Sequence, residues 1–243
     1  MKMDVLDYEI LALSEQNKDP FQRFFRRKRF DTVINSVTTL EIKKKRIKVL
    51  ELGCGAGAVS LELARRGYEV TAVDIEKKFI DYGEKEAKRL GIKNIHFLKK
   101  DITKPLNLGE YDIVLTSEVI EHIRDFLSVF RNIEKHLSPG GYLVLTVPNH
   151  AGIGDLTEFL WSLKARYGWV DEHYGYCCST KRIEKLLREF GIEPLRTYTI
   201  FYISHFLPFI SERLAHVVFE KEVKYLSRIR FGTIIVNVSR KML

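Results

Sequence analysis

The 243-residue chain predicts an α/β fold with a seven-stranded, mostly parallel sheet and helices on both faces. Three observations predict it. Short runs rich in Val, Ile and Leu alternate with helix-patterned stretches, the signature of crossover-connected parallel strands. The first of these runs, Val49-Leu50-Glu51-Leu52, enters a turn with glycine at Gly53, Gly55 and Gly57 and then a helix. The next run, Glu69-Val70-Thr71-Ala72-Val73, ends at a carboxylate, Asp74. Composition agrees: 45% hydrophobic and 30% charged residues suffice for a core and exclude a disordered chain.

Taken from the start, Asp7 to Leu13 reads as a short helix and Asp19-Pro20 as a turn or cap. Phe21 to Phe30 interleaves basic and aromatic residues. One reading is a basic arm for RNA or another anion. The other, preferred, is an amphipathic helix with Phe21, Phe24 and Phe25 packed inward and the arginines solvated. Thr32 to Leu40 continues the helical pattern, and Glu41 to Lys48 is a charged connector. After the glycine turn, Ala58 to Arg66 is a helix closed by Gly67. Glu76 to Leu90 is the next, with Gly91 past its end. Asn94 to Leu98 is the third strand, and Lys99-Lys100-Asp101-Ile102-Thr103 follows it. Tyr111 to Thr116, apolar enough to be central, leads into Ser117-Glu118-Val119-Ile120-Glu121-His122-Ile123. A helix from Asp125 to Leu137, the turn Pro139-Gly140-Gly141 and a strand from Tyr142 to Val147 come next.

Residues 150–179 break the alternation with Gly152, Gly154, Trp161, Trp169, His173, Tyr174 and Tyr176, an insertion long enough to be functional. Thr180 to Phe190 is a helix and Glu193 to Ile203 a strand. His205 to Glu222 is rich in Phe, Leu, Ile and Val. It reads as a core-packing helix with a loop, or as a wall for an apolar substrate or a membrane surface. Phe231 to Ser239 is the last strand. No internal repeat, low-complexity tract or clear domain boundary stands out.

The glycine turn brings backbone N–H groups close to a ligand, and a carboxylate at the end of the next strand can accept hydrogen bonds from ribose hydroxyls. Gly53, Gly55 and Ala58 also satisfy the relaxed dinucleotide pattern. Glu51 opposes that reading, because a carboxylate two residues before the first glycine repels a pyrophosphate and suits a cationic ligand.

The segment Glu51-Leu52-Gly53-Cys54-Gly55-Ala56-Gly57 resembles the first motif of the class I S-adenosylmethionine-dependent methyltransferases. Asp74, Asp101 and Pro139-Gly140-Gly141 match later motifs of that family in order, over roughly residues 45 to 200. The resemblance implies a Rossmann-like sheet whose strands six and seven form an antiparallel edge, with S-adenosylmethionine as cofactor and S-adenosylhomocysteine as product. It implies donor contacts from Glu51, Gly53, Cys54, Gly55 and Gly57 on the methionine part, Asp74 and Ile75 on the ribose side, and Asp101 and Ile102 on the adenine. Ser117 and Glu118 would border the donor. The expected layout is a single methyltransferase domain: a helical cover (1–45), a cofactor core (46–149), a substrate insertion or lid (150–179) and a C-terminal helix with the strand pair (180–243).

Glu118-Val119-Ile120-Glu121-His122 is similar to the metal-binding segment of ubiquinone-biosynthesis O-methyltransferases and of enzymes methylating small-RNA 3′ ends. If it began a helix, Glu118, Glu121 and His122 would share one face, and His173 could close a divalent-metal site. No metal is the preferred expectation. His122 and His173 are then the candidate bases for an oxygen nucleophile.

The net charge of +8 fits an anionic partner or a lysine-rich solvated surface, and the spread of the charges favours the second. Three cysteines give no disulfide framework. No apolar run reaches the length of a membrane span and no signal-peptide core opens the chain, so a cytoplasmic protein is expected. The favoured function is methyl transfer to a small-molecule acceptor, oxygen before nitrogen or carbon. The rivals are an RNA or tRNA methyltransferase, a donor-binding protein without turnover and a nicotinamide dehydrogenase.

Overall fold

The computed structural model describes residues 19–151 and 179–243. The expected helix at Asp7–Leu13 and the aromatic insertion, with His173, lie outside them.

Helix α1 (Pro20–Thr38) starts where Asp19 accepts the N–H groups of Phe21 and Gln22, with proline at its first position. The strands follow as β1 (Lys48–Leu52), β2 (Glu69–Asp74), β3 (Ile95–Lys99) and β4 (Tyr111–Ser117), then β5 (Leu137–Pro148), β6 (Ile192–Ile200) and β7 (Ile234–Lys241). They form one seven-stranded sheet in the order β3-β2-β1-β4-β5-β7-β6. Pairings among β1 to β5 are parallel, and β7 is antiparallel to both β5 and β6. The expected antiparallel edge is present.

Period-two alternation divides the core. Leu50, Leu52, Val114, Leu143 and Leu145 face a cluster that includes α4 (Phe126–His136) and α5 (Thr180–Glu189). Val49, Ile113, Leu115 and Val144 face α1, α2 (Ala58–Arg65) and α3 (Lys77–Arg89). Each fully buried Leu, Ile or Val on these faces contributes about 1.5–3 kcal/mol. A third cluster joins the start of α1 to the edge strands. There Phe24 meets Tyr198, Phe201 and, from α6 (Glu212–Tyr225), Phe219. The amphipathic reading of Phe21–Phe30 holds: Phe21 and Phe24 are buried, Phe25 is half-buried, and Arg23 and Lys28 pair with Glu212 and Glu220.

Two expectations at the carboxyl half are corrected. The turn Pro139-Gly140-Gly141 lies within β5, not before it. A bulge between Tyr111 and Ile113 lets β4 keep pairing while the Pro-Gly-Gly kink is absorbed, with Gly140 at φ 73°. A Cβ on Gly141 would stand 2.9 Å from the Ser138 carbonyl oxygen. Strand β6 stops at Ile200, before the expected Ile203, because Phe201 takes φ 60° and turns the chain out of the sheet. The stretch expected as a core helix with a loop is a 3-10 turn (Ser204–Phe209) followed by α6. Glu222 of α6 secures this turn. Its buried carboxylate accepts the N–H groups of Tyr202, Ile203 and Ser204 and the Ser204 hydroxyl.

Candidate functional site

The carboxyl ends of β1, β2, β4 and β5 open on the same edge of the sheet, the side on which open α/β sheets take ligands. Strand β1 delivers the chain into Gly53 (φ 75°), Gly55 (φ 50°) and Gly57 (φ 82°), all in the left-handed region. Gly53 is further required by space, since a Cβ there would meet a Val119 methyl at 2.5 Å. At Gly57 a Cβ would meet the Phe97 ring at 2.6 Å. The turn is tied to β2: the Val73 carbonyl accepts the N–H groups of Gly53 (2.8 Å) and Cys54 (2.9 Å). The buried side chain of Cys54 joins the core cluster on the α1–α3 face of the sheet.

Asp74 ties the glycine turn to the end of β2 and the start of α3. One carboxylate oxygen accepts the Gly55 N–H (2.8 Å) and the other the Glu76 N–H (2.9 Å). Each oxygen keeps a second lone-pair direction for a further donor. Ile75, the next residue, is 56% exposed despite its apolar side chain. Glu51 is buried beneath the turn, where Ser60 of α2 donates its hydroxyl to the carboxylate. Beyond β3, Asp101 accepts both the Thr103 hydroxyl (2.7 Å) and the Thr103 N–H (2.8 Å) on one oxygen. Those bonds, hydroxyl first, hold its carboxyl below the usual carboxylate range. Ile102 is buried with Leu52, Val73 and Ile120, so the segments after β3 and β4 meet under the glycine turn.

The other side is less regular. Ser117 and Thr146 bond through their hydroxyls (2.8 Å), and Glu118 donates its N–H to the Thr146 carbonyl at φ 54°. That left-handed step breaks the helical spacing the sequence suggested. Only Ile120–His122 forms a 3-10 turn, so Glu118, Glu121 and His122 do not line one helix face. Glu121 is buried with a carboxylate oxygen 3.9 Å from the half-exposed His122 ring, whereas Glu118 pairs with Arg29 of α1 at 3.6 Å. Among the described residues no three His, Cys, Asp or Glu side chains converge on a metal position. His173, the fourth member of the suggested set, lies outside the described residues.

Two site-bordering residues escaped sequence reasoning. Arg29 sits in the basic run of α1, and nothing local marks it as the one that reaches Glu118. Asn149 reads as a mere strand end. In the fold it is buried, its amide donates to the Gly232 (2.7 Å) and Arg230 (3.3 Å) carbonyls, and its buried Oδ1 finds no hydrogen-bond partner among the described residues. The Thr233 hydroxyl is in the same condition, and the Thr233 carbonyl accepts the Asn149 N–H. Buried oxygens of this kind are uncommon in folded proteins and mark places that accept water or a ligand group.

Residues 43–191 match the family described as a methyltransferase domain. The ubiquinone biosynthesis O-methyltransferase of Rickettsia canadensis (strain McKiel) is 28% identical over 170 residues, covering 68% of this chain and 70% of that protein. The fold is shared with magnesium protoporphyrin IX methyltransferase of Synechocystis PCC 6803, solved with bound S-adenosylhomocysteine. That pair has a TM-score of 0.69 at 17% identity, with 97% of this chain and 93% of the other covered. An N-methyltransferase of Bradyrhizobium japonicum WM9 in complex with S-adenosylhomocysteine gives a TM-score of 0.60 at 18% identity, covering 96% and 95%.

Proposed function

This chain belongs to the methyltransferase-domain family of class I S-adenosylmethionine-dependent enzymes, and from that premise we propose that it methylates an oxygen of a small-molecule acceptor. The observation that carries the donor side is the double engagement of Asp74 by Gly55 and Glu76, which fixes a carboxylate beside a positive-φ glycine turn. In this reading the N–H groups and open backbone of Gly53 to Gly57 take the methionine part. Glu51 supplies negative charge below its ammonium. Asp74 takes the ribose hydroxyls, with Ile75 beside them, and Asp101 with Ile102 takes the adenine. Ser117 and Glu118 border the sulfonium from β4. The chain acts as one methyltransferase domain, with 46–149 as the donor core.

Methyl transfer is an in-line displacement. The acceptor oxygen forms the new bond to the methyl carbon, and the carbon–sulfur bond breaks. Sulfur keeps that electron pair and leaves as the neutral thioether of S-adenosylhomocysteine. The hydroxyl proton goes to a base, for which half-exposed His122 is the candidate among the described residues, or to water. The donor is already activated by its charge, so alignment of the two partners supplies much of the acceleration. Oxygen is favoured because the 28% identical Rickettsia relative is an O-methyltransferase by name.

The small-molecule reading has support over the RNA reading in α1, where Arg23 and Lys28 of the basic run are engaged by Glu212 and Glu220. The deciding experiment is a calorimetric titration with S-adenosylhomocysteine beside NAD, followed by tritiated-methyl transfer to panels of hydroxyl, amine and RNA acceptors. Binding of S-adenosylhomocysteine with labelling of a hydroxyl acceptor is expected. Labelling confined to amines or to RNA overturns the acceptor; binding of NAD alone overturns the donor.

A further inference from the structure

We propose that the outer face of the β6–β7 crossover is a docking surface for an anionic lipid bilayer. The crossover leaves β6 at Ile200 and returns at Ile234. Because β7 is antiparallel to both β5 and β6, the carboxyl end of β6 lies on the same edge of the sheet as the donor site.

Large apolar side chains concentrate there. Ile203 is 58% exposed, Phe209 52%, Ile210 78%, Leu214 45% and Val217 49%. Isolated exposed apolar residues are ordinary, but a run of them on adjoining elements marks an interaction surface. The support beneath is firm. Glu222 fixes the turn carrying Ile203, and the Phe209 ring stacks on Phe21 of α1 at 6.1 Å.

Charge identifies the occupant. The acids of α6 are neutralised: Glu212 and Glu220, on the flank beside α1, pair with Arg23 and Lys28, and Glu222 is buried and hydrogen-bonded. The outward side, reached at steps of three and four residues, carries Leu214, Val217, Lys221 and Lys224, with Arg213 alongside. These three cations are exposed and make no ion pair among the described residues. A helix with acids neutralised on one side and apolar residues mixed with bases on the other suits the headgroup region of an anionic membrane. There Ile and Leu enter the acyl boundary and the basic heads meet phosphates. A second copy of the chain would bring these uncompensated cations against their own image. A nucleic acid would gain nothing from Ile210, Leu214 or Val217, which neither stack on bases nor hydrogen-bond to them. No helix among the described residues is long and apolar enough to cross a membrane, so the contact is peripheral.

The test is flotation of the full chain with phosphatidylcholine vesicles, with and without phosphatidylglycerol. Binding to the anionic vesicles, weak binding to the neutral ones, and loss at high salt are expected. Ile210→Asp with Leu214→Asp should lower the partition on the order of tenfold or more. Lys221→Gln with Lys224→Gln, at two exposed positions, should lower it about fivefold per residue. Both variants should keep wild-type affinity for S-adenosylhomocysteine, which separates this result from any failure of the donor site. Equal binding to both vesicles, no binding, or binding unmoved by either variant overturns the proposal. So does a self-association in sedimentation that Ile210→Asp abolishes, or an RNA affinity that the lysine variant alone removes.

Discussion

At the proposed donor side the exits of β1 and β2 are tied to each other within one βαβ unit, whereas at the proposed acceptor side the exit of β4 is tied to β5 and the exit of β5 to the turn before β7, much farther along the chain. The glycine turn is held by Val73 and Asp74, about twenty residues away in the βαβ unit that contains it. The exit of β6 is held by Glu222, and Asn149 at the end of β5 is held by Arg230 and Gly232. The donor is a constant molecule and can be met by a preformed, locally encoded cradle. In the proposed reading the acceptor is what varies between enzymes, and the side that would meet it is assembled from strained and long-range pieces, among them positive φ at Glu118 and Phe201. If the proposed donor site holds, the difference teaches that one unit of this fold fixes the cofactor while the rest is left to diverge.

The comparison can be broken most severely at Gly53. Gly53→Ala combines a left-handed φ with a methyl overlapping Val119. It should cost about 2–4 kcal/mol of stability and abolish S-adenosylhomocysteine binding by calorimetry. Adding Val119→Ala should restore part of both, and a double variant no better than the single would mean that φ alone governs the turn. Glu222→Ala removes the acceptor of four bonds and should lower stability by about 2–4 kcal/mol in denaturant titration. Its donor affinity should stay at the wild-type value if the two sides are separable; a matching loss of affinity would show that they are not.

Asp74→Ala should weaken donor binding by about 1–3 kcal/mol, the usual cost of leaving polar partners unmatched. Unchanged affinity for S-adenosylhomocysteine would remove Asp74 from the site. Asn149→Ala should leave donor affinity intact and reduce kcat/KM for the acceptor by about tenfold, the loss of one acceptor-side hydrogen bond. An effect on stability with none on turnover would confine Asn149 to holding the 230–232 turn.

The smallest expected effect is a pH dependence at the junction of α1 and α6. His216 stands edge-on to the Phe24 ring at 5.1 Å. Burial, helped by the Lys28 ammonium, holds its pKa below the ordinary 6.5, against the opposing pull of Glu220 and Asp31. The unfolded chain therefore binds the proton more readily, so the contribution of His216 is complete above 6.5 and is lost as the pH falls through the folded value. Melting temperature should dip on acidification, and His216→Gln should flatten that dip; an identical dip in the variant would assign it to other groups.

The strand, turn and helix of the donor unit are set by local chemistry: an apolar run, alternate glycines that tolerate positive φ, and a carboxylate at a strand end. Such signals are written in contiguous residues, and Gly53, Gly57 and Asp74 could be singled out before any fold was known. What Glu118 does could not. Its spacing to Glu121 and His122 reads as a helix face, but pairing of β4 with β5 carries the ladder through to Thr146 and sends Glu118 left-handed toward Arg29. Likewise, the apolar residues of 205–222 cannot be divided by pattern into core and surface. Phe219 is buried and Leu214 exposed because α1 packs on one side of α6 only. The chain's own sequence determined the order of elements and the cofactor turn, since both depend on propensity and periodicity over neighbouring residues. Tertiary structure alone decided the acceptor side and the exposed face of α6, since which partner satisfies a buried carboxylate or covers an apolar stripe depends on residues distant in the chain.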